Sequence, residues 1–424
     1  MAQSTMAIII LATAVVLYCT AWIPLYITSI LAAIAMVLCG IIDFDMAFSS
    51  LGSSTIMLLI GMQVIGKAIV EVGIGDVLGK RLVRVFHGSQ RAFVLSVCAF
   101  IMLASMFING LVMMTIMMCV VDCICAQSGG RLQRKTVYLP MAITSIYGCA
   151  MTSIGATSMM NVSAQLAVSE FGRGLRLFEP AVVTLPGALA ALIFAATVGQ
   201  RISRRRFDFE DTGAPSAPLP GSEEKTYCKW RIALTCAVFA AALVFLIAEI
   251  IPYGATAMIA ACILIMTGCA SPKALNEISW STVFLIAGSI GIGAGVSASG
   301  AGKIIAGVFI KICGPLGQSP YLMCCFVMLI TTVMSNFMSN NGAVTVMCPL
   351  AFAIASDFGV SLLPFALACG CGANLSVSTP VACGNVSVTT VAGYRFKDYL
   401  LYGGIINLLA YFACCASLYF AFFA

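Results

Sequence analysis

Apolar stretches of membrane-crossing length follow one another along almost the whole chain, and four of them are broken in mid-run by glycine, asparagine or hydroxyl residues. The clearest break is MSNNGAVTVMCPL at 338–350, where Ser339, Asn340, Asn341 and Gly342 stand together inside a greasy run. Lipid offers no partner to an exposed peptide group, so irregular backbone at that depth implies burial in protein or a wet cavity. The runs do not alternate with period two, which predicts an all-α polytopic membrane protein rather than a β-barrel. Only 9% of residues are charged, against roughly 25% in a soluble domain.

Hydropathy and loop charge place crossings at 6–21, 24–42, 54–72, 137–170, 180–200, 230–250, 253–270, 281–298, 360–393 and 399–422. Segments 92–126 and 320–357 are too interrupted for plain crossings and are expected to be re-entrant hairpins. Segments 137–170 and 360–393 are over-long and contain polar breaks, so helices broken at mid-membrane are expected there. The positive-inside rule then puts both termini outside, because all but five of the 22 basic residues (Arg173, Arg176, Lys303, Lys311 and Lys67) fall in cytoplasmic segments. A multi-pass protein of the cytoplasmic membrane is expected, with no cleaved leader because no charged n-region precedes Ala7. The charge of +6 lies in short loops and is no nucleic-acid signature. Residues 201–229, rich in charge, Pro, Gly and Ser, read as a flexible cytoplasmic linker.

Most of the 20 cysteines lie in apolar runs, where a thiol behaves as a small hydrophobe. Asp122, Cys123 and Cys125, with His87 the sole histidine, fall short of a four-ligand zinc site. No metal beyond Na⁺ is expected.

The halves on either side of the linker match at a nearly constant offset. Pro24 pairs with Pro252; Gly61, Gly66, Ile69, Gly73 and Gly75 pair with Gly288, Gly293, Val296, Gly300 and Gly302; Asn109-Gly110 pairs with Asn341-Gly342, and Asn161 with Asn385. Each half holds five crossings and one hairpin, and an odd count turns the second half over. Inverted repeats with broken helices are the architecture of secondary transporters.

The four breaks are FINGLV (107–112), TSIGATSMMN (152–161), SNNG (339–342) and SVSTPVACGN (376–385). Helix starts offer free N–H groups and a positive dipole end to an anion. Helix finishes, with Ser, Thr or Asn oxygens, suit Na⁺. None of the 16 acidic residues lies at a break, so the buried acid relay of proton-coupled carriers is missing and Na⁺ coupling is favoured. No acid pair, His/Cys cluster or Ser–His arrangement lies at membrane depth, which argues against an enzyme. A Na⁺-independent anion exchanger of the same fold and a passive anion channel remain as alternatives.

SNNGAVTVMCPL (339–350), SVSTPVACGN (376–385), GYRFKDYLLYGG (393–404), TSIGATSMMN and the opening AWIP together resemble the divalent-anion:sodium symporter family, the dicarboxylate and sulfate transporters of the ion-transporter superfamily. The resemblance covers nearly the whole chain. Its Ser-Asn-Thr signature, which places Na⁺ and a substrate carboxylate at each hairpin tip, becomes Ser339-Asn340-Asn341 in the second copy. In the first copy it becomes Ile108-Asn109-Gly110, where both hydroxyls are lost. The usual Pro-Pro-Asn is replaced by Met159-Met160-Asn161 and Cys383-Gly384-Asn385, which marks a divergent member. Relatives carry one further N-terminal helix, in line with an extracellular N-terminus here.

The resemblance implies an elevator-type transporter working as a homodimer. Its scaffold would be 1–72 and 230–298, its arms 73–90 and 300–315, and its transport unit 92–200 and 320–424. The candidate solute-binding residues are Asn109, Gly110, Thr157, Asn340, Asn341, Thr379 and Pro380. The candidate Na⁺ ligands are Asn109, Thr152, Gly155, Ser339, Asn340 and Ala382. The expected cargo is a small anion, dicarboxylate-like or an inorganic oxyanion, with Na⁺ as coupling ion and no other cofactor.

Overall fold

The computed structural model describes residues 2–20, 22–73, 90–127, 132–207, 228–313, 317–380 and 383–424, and contains no strand among them. Residues 74–89 of the arm expected at 73–90 and most of the linker at 201–229 lie outside these described residues. In chain order the first half runs α1 (Gln3–Thr20), α2 (Leu25–Leu38), α3 (Ser54–Glu71), α4 (Gln90–Ser105), α5 (Gly110–Gln127), α6 (Tyr138–Cys149), α7 (Thr157–Ala167), α8 (Glu179–Ala196) and α9 (Val198–Arg206). The second half runs α10 (Lys229–Ala248), α11 (Tyr253–Met266), α12 (Trp280–Ala298), α13 (Ala301–Cys313), α14 (Pro320–Phe337), α15 (Asn340–Asp357), α16 (Leu362–Asn374), α17 (Gly384–Ser387) and α18 (Phe396–Phe422).

Residues 92–126 do not run straight through. Helix α4 ends at Ser105 and α5 starts at Gly110, and the two pack side by side as a hairpin. Helices α14 and α15 do the same around Met338 and Ser339. Six described helices are long and apolar enough to cross a membrane. One of them is α14, which hydropathy alone cannot tell from a crossing; what makes it a hairpin arm is the turn at Ser339 and the return of α15 alongside.

The two halves repeat down to backbone angles. Pro24 precedes α2 with φ −51° and ψ 136°, and Pro252 precedes α11 with φ −50° and ψ 135°. Gly40 and Gly268, just after those helices, have φ +66° and +70°. Gly73 and Gly300, after α3 and α12, have φ +77° and +70°. A left-handed glycine is the usual stop for a helix, because a Cβ there meets the following carbonyl. The stop at Gly40 explains why α2 is 14 residues long although Ile41 and Ile42 continue the apolar run. At 1.5 Å per residue such a helix is roughly 21 Å long, shorter than the expected span 24–42.

Packing crosses between the halves. A Cβ at Gly61 on α3 would lie 2.6 Å from the carbonyl carbon of Ala257 on α11, and one at Gly288 on α12 would lie 2.6 Å from that of Ser29 on α2. Gly61 and Gly288 are equivalent in the repeat, and so are Ser29 and Ala257. The third helix of each half is therefore pressed against the second helix of the other. One apolar core joins α4–α8 to α14–α18. A second gathers α3, α10, α11 and α12 and reaches α7 through Met160 and Ala164. A third joins α1, α2, α12 and α13.

Candidate functional site

The four interruptions meet. A cavity of about 230 Å³ is lined by Asn109 and Gly110 from the first hairpin tip and by Ser339, Asn340 and Asn341 from the second. Gly155, Thr157 and Ser158 from the first broken helix, and Cys383, Gly384 and Asn385 from the second, line it too, with Asn374 and the less polar Leu111, Ile146, Cys149 and Ala156. Drug-sized ligand pockets run to roughly 300–1,000 Å³, so the space suits a small solute. No Asp, Glu, Lys or Arg is among its lining residues.

Helices α4, α6, α14 and α16 end around the cavity, while α5, α7, α15 and α17 begin there. Ser339 before α15 and Ala156 before α7 supply no side-chain cap. Their first-turn N–H groups are thus open to an acceptor, and the dipole favours an anion. Helix α5 differs: Asn109 Oδ1 accepts from the N–H groups of Leu111 at 3.0 Å and Val112 at 3.4 Å. Asn109 therefore caps its own helix and keeps only the Nδ2 donor for a ligand.

A separate group of oxygens lies behind the second tip. Asn340 Oδ1 is 2.8 Å from Ser335 Oγ and 3.0 Å from Ser376 Oγ. The two hydroxyls are 3.0 Å apart, and lie 2.9 Å and 2.7 Å from the carbonyl oxygen of Ala373. These five contacts share two hydroxyl protons, so three have no hydrogen between the oxygens. At the carboxyl ends of α14 and α16 this makes a negative pole of neutral oxygens, the surroundings that suit Na⁺.

The expected site residues divide. Asn109, Gly110, Gly155, Thr157, Ser339, Asn340 and Asn341 are brought together on the cavity wall. Thr152, Thr379 and Pro380 stand behind it. The Thr152 hydroxyl donates to the Met106 carbonyl and accepts from Gly155 N–H at 3.0 Å. The Thr379 hydroxyl donates to the Asn336 carbonyl, and the Pro380 carbonyl accepts from Ser387. Ala382 lies outside the described residues. Sequence reasoning passed over Ser335, Ser376, Ser158 and Asn374. The last two bond reciprocally across α7 and α16 at 2.9 Å and 3.2 Å. Asn374, an amide closing an apolar run just before SVSTP, carried the one signal that could have found it.

Behind the second tip a buried polar chain runs to α12. Asn341 Nδ2 donates to Thr157 Oγ1 at 3.0 Å, and the Asn341 carbonyl accepts from Thr345 Oγ1 at 2.8 Å. Asn161 Nδ2 donates to Thr345 Oγ1 at 3.2 Å, and Thr345 Oγ1 stands 2.6 Å from Ser289 Oγ on α12.

A family model described as citrate transporter matches residues 8–370 and again 310–424. An uncharacterised transporter of Synechocystis sp. is 29% identical over 177 residues, which cover 41% of this chain and 29% of that protein. The protein named probable sodium/sulfate cotransporter 3 of Chlamydomonas reinhardtii is 25% identical over 150 residues, covering 35% of this chain and 16% of that protein. The chain thus spans less than a third of the length of either relative. The crystal structure of the Alcanivorax borkumensis YdaH transporter superposes with a TM-score of 0.56 at 14% identity, over 90% of this chain and 86% of that one. At that identity the likeness is one of fold.

Proposed function

The chain belongs to the citrate transporter family, and from that premise we propose that it is a secondary active carrier of a small anion, dicarboxylate-like or an inorganic oxyanion, driven by Na⁺. The observation that carries this reading is the meeting of four interrupted helices at one uncharged cavity, with uncapped helix starts on α7 and α15 and a proton-poor oxygen cluster beside them. A desolvated anion is costly unless hydrogen-bonded and paired. Here N–H groups and the Nδ2 donors of Asn109 and Asn340 supply the bonds. A Na⁺ held by Asn340 Oδ1, Ser335 Oγ, Ser376 Oγ and the Ala373 carbonyl supplies the counter-charge. One side chain, Asn340, thus faces the cation with its oxygen and the anion with its amine, which links the two occupancies. The first tip lacks such a cluster because Asn109 Oδ1 is spent on capping α5, so one Na⁺ site is expected at the second tip rather than a matched pair.

For the alternating step we propose an elevator movement, with α4–α8 and α14–α18 carrying the cavity past α1–α3 and α10–α12. The homodimer implied by the resemblance belongs to the same reading. The test is uptake by proteoliposomes of citrate, malate, succinate and sulfate, with an inward Na⁺ gradient or with K⁺ in its place. Na⁺-stimulated uptake of at least one anion is expected, and Asn340→Ala should abolish it while the protein keeps its elution volume and thermal stability. Uptake at the unmodified rate in Asn340→Ala rejects the site. Counterflow indifferent to Na⁺ makes the protein an exchanger, and conductance far above carrier turnover makes it a channel.

A further inference from the structure

Gly110 opens α5 at the first hairpin tip. A Cβ at Gly110 would lie 2.5 Å from Asn385 Nδ2, 2.6 Å from Cys149 Sγ and 3.0 Å from Ser145 Oγ. The room that a side chain at 110 would need is therefore filled by Cys149 and Ser145 on α6 and, from across the cavity, by the Asn385 amide on α17. Asn385 is held there. It is 6% exposed, its Nδ2 donates to Ser145 Oγ at 3.1 Å, and Ser145 Oγ is itself 2.8 Å from Ser105 Oγ.

The other end of that amide is unclaimed. Among the described residues no donor reaches Asn385 Oδ1, yet the atom is not sealed among the enclosed unpartnered groups, and Asn385 lines the cavity. An acceptor that opens on the cavity with no protein donor is left for a ligand to donate to. A carboxylate has no proton to give and would meet Oδ1 oxygen to oxygen. A hydroxyl beside the carboxylate does have one. Across the cavity the groups open to it are donors, namely the first-turn N–H groups of α15 and the Nδ2 atoms of Asn340 and Asn109, while the unpartnered acceptor of that wall, Asn341 Oδ1, is enclosed, so carboxylate and hydroxyl are read on different walls.

We propose that Asn385 is a solute-contacting, specificity-determining residue that fills the place left open by Gly110 and accepts a hydrogen bond from a hydroxyl of a hydroxycarboxylate solute. The inference rests on the carrier reading above. Its test uses the full chain in proteoliposomes and two pairs of solutes that differ by one hydroxyl, malate with succinate and citrate with tricarballylate. The unsubstituted protein is expected to favour the hydroxylated member of a pair by about tenfold in KM. Asn385→Ala should bring the pair within about twofold by raising KM for the hydroxylated member alone. Gly110→Ala, whose Cβ would press on Asn385 as well as on Cys149 and Ser145, should narrow the preference too. Asn385→Ser serves if the alanine variant fails to fold, with the same loss of preference expected. A preference that survives these substitutions, an equal loss for both members of a pair, or no preference in the unsubstituted protein overturns the proposal. Failure of the unsubstituted protein to take up any of the four solutes overturns it together with the carboxylate reading, and is seen before any variant is compared.

Discussion

At the residue scale the function turns on which side-chain atoms are already satisfied. Asn109 and Asn340 look alike in the sequence, each an amide at a hairpin tip, yet Asn109 spends its oxygen on the start of α5 while Asn340 turns its oxygen to Ser335 and Ser376. The tip asparagines were legible because polar residues inside an apolar run have few innocent explanations. Ser335 was not, because a lone serine in a membrane helix usually bonds its own backbone; Ser376 heads the break at 376–385, and only the fold brings these two to one carbonyl. Replacing both with alanine removes two of the four oxygens. Half-maximal Na⁺ in the uptake assay should rise about tenfold or more, taking a hydrogen-bond-sized contribution from each, with unchanged solute affinity at saturating Na⁺. An unchanged Na⁺ dependence would move the cation elsewhere.

At the element scale the helices are set by their ends more than by their hydropathy. Crossings at 24–42 and 253–270 were expected too long because apolar residues continue past Gly40 and Gly268, while the backbone turns left-handed at both glycines. The repeat was legible from paired glycines, though their purpose was not: Gly61 and Gly288 are contact surfaces for the backbones of Ala257 and Ser29. Gly61→Val and Gly288→Val should each destabilise the protein by about 1–3 kcal/mol, the usual cost of overpacking a tight interior. Thermal unfolding in detergent measures this, and the two losses should be similar because the contacts are equivalent. Gly66→Ala, where a Cβ meets nothing within 4 Å, is the control and should leave stability nearly unchanged.

At the scale of the whole molecule, the contacts that matter most join the halves and the two proposed bodies. On the outer rim Arg176, between α7 and α8, pairs at 3.0 Å with Glu249, which follows α10. In the interior Thr345 on α15 meets Ser289 on α12. The proposed elevator movement would break both. Cysteines at 289 and 345 would replace oxygens 2.6 Å apart, close to the about 2.05 Å of a disulfide. Oxidation of the Ser289→Cys/Thr345→Cys variant should therefore halt uptake and a thiol reductant should restore it, with neither single variant affected. Full cross-linking with undiminished uptake would rule out sliding at this seam. Neither contact was legible in the chain, since each joins residues more than fifty positions apart with no shared pattern.

The exchange of partners at Gly61 and Gly288 also bears on how the protein is made. The face of α3 around Gly61 has no mate until Ala257 on α11 has been synthesised, nearly two hundred residues later. The face of α2 around Ser29 waits longer still, for Gly288. Neither half can close its seam alone, so a chain released before α12 leaves the ribosome as an open clasp, and an ancestor bearing one repeat would have needed a twin inserted upside down.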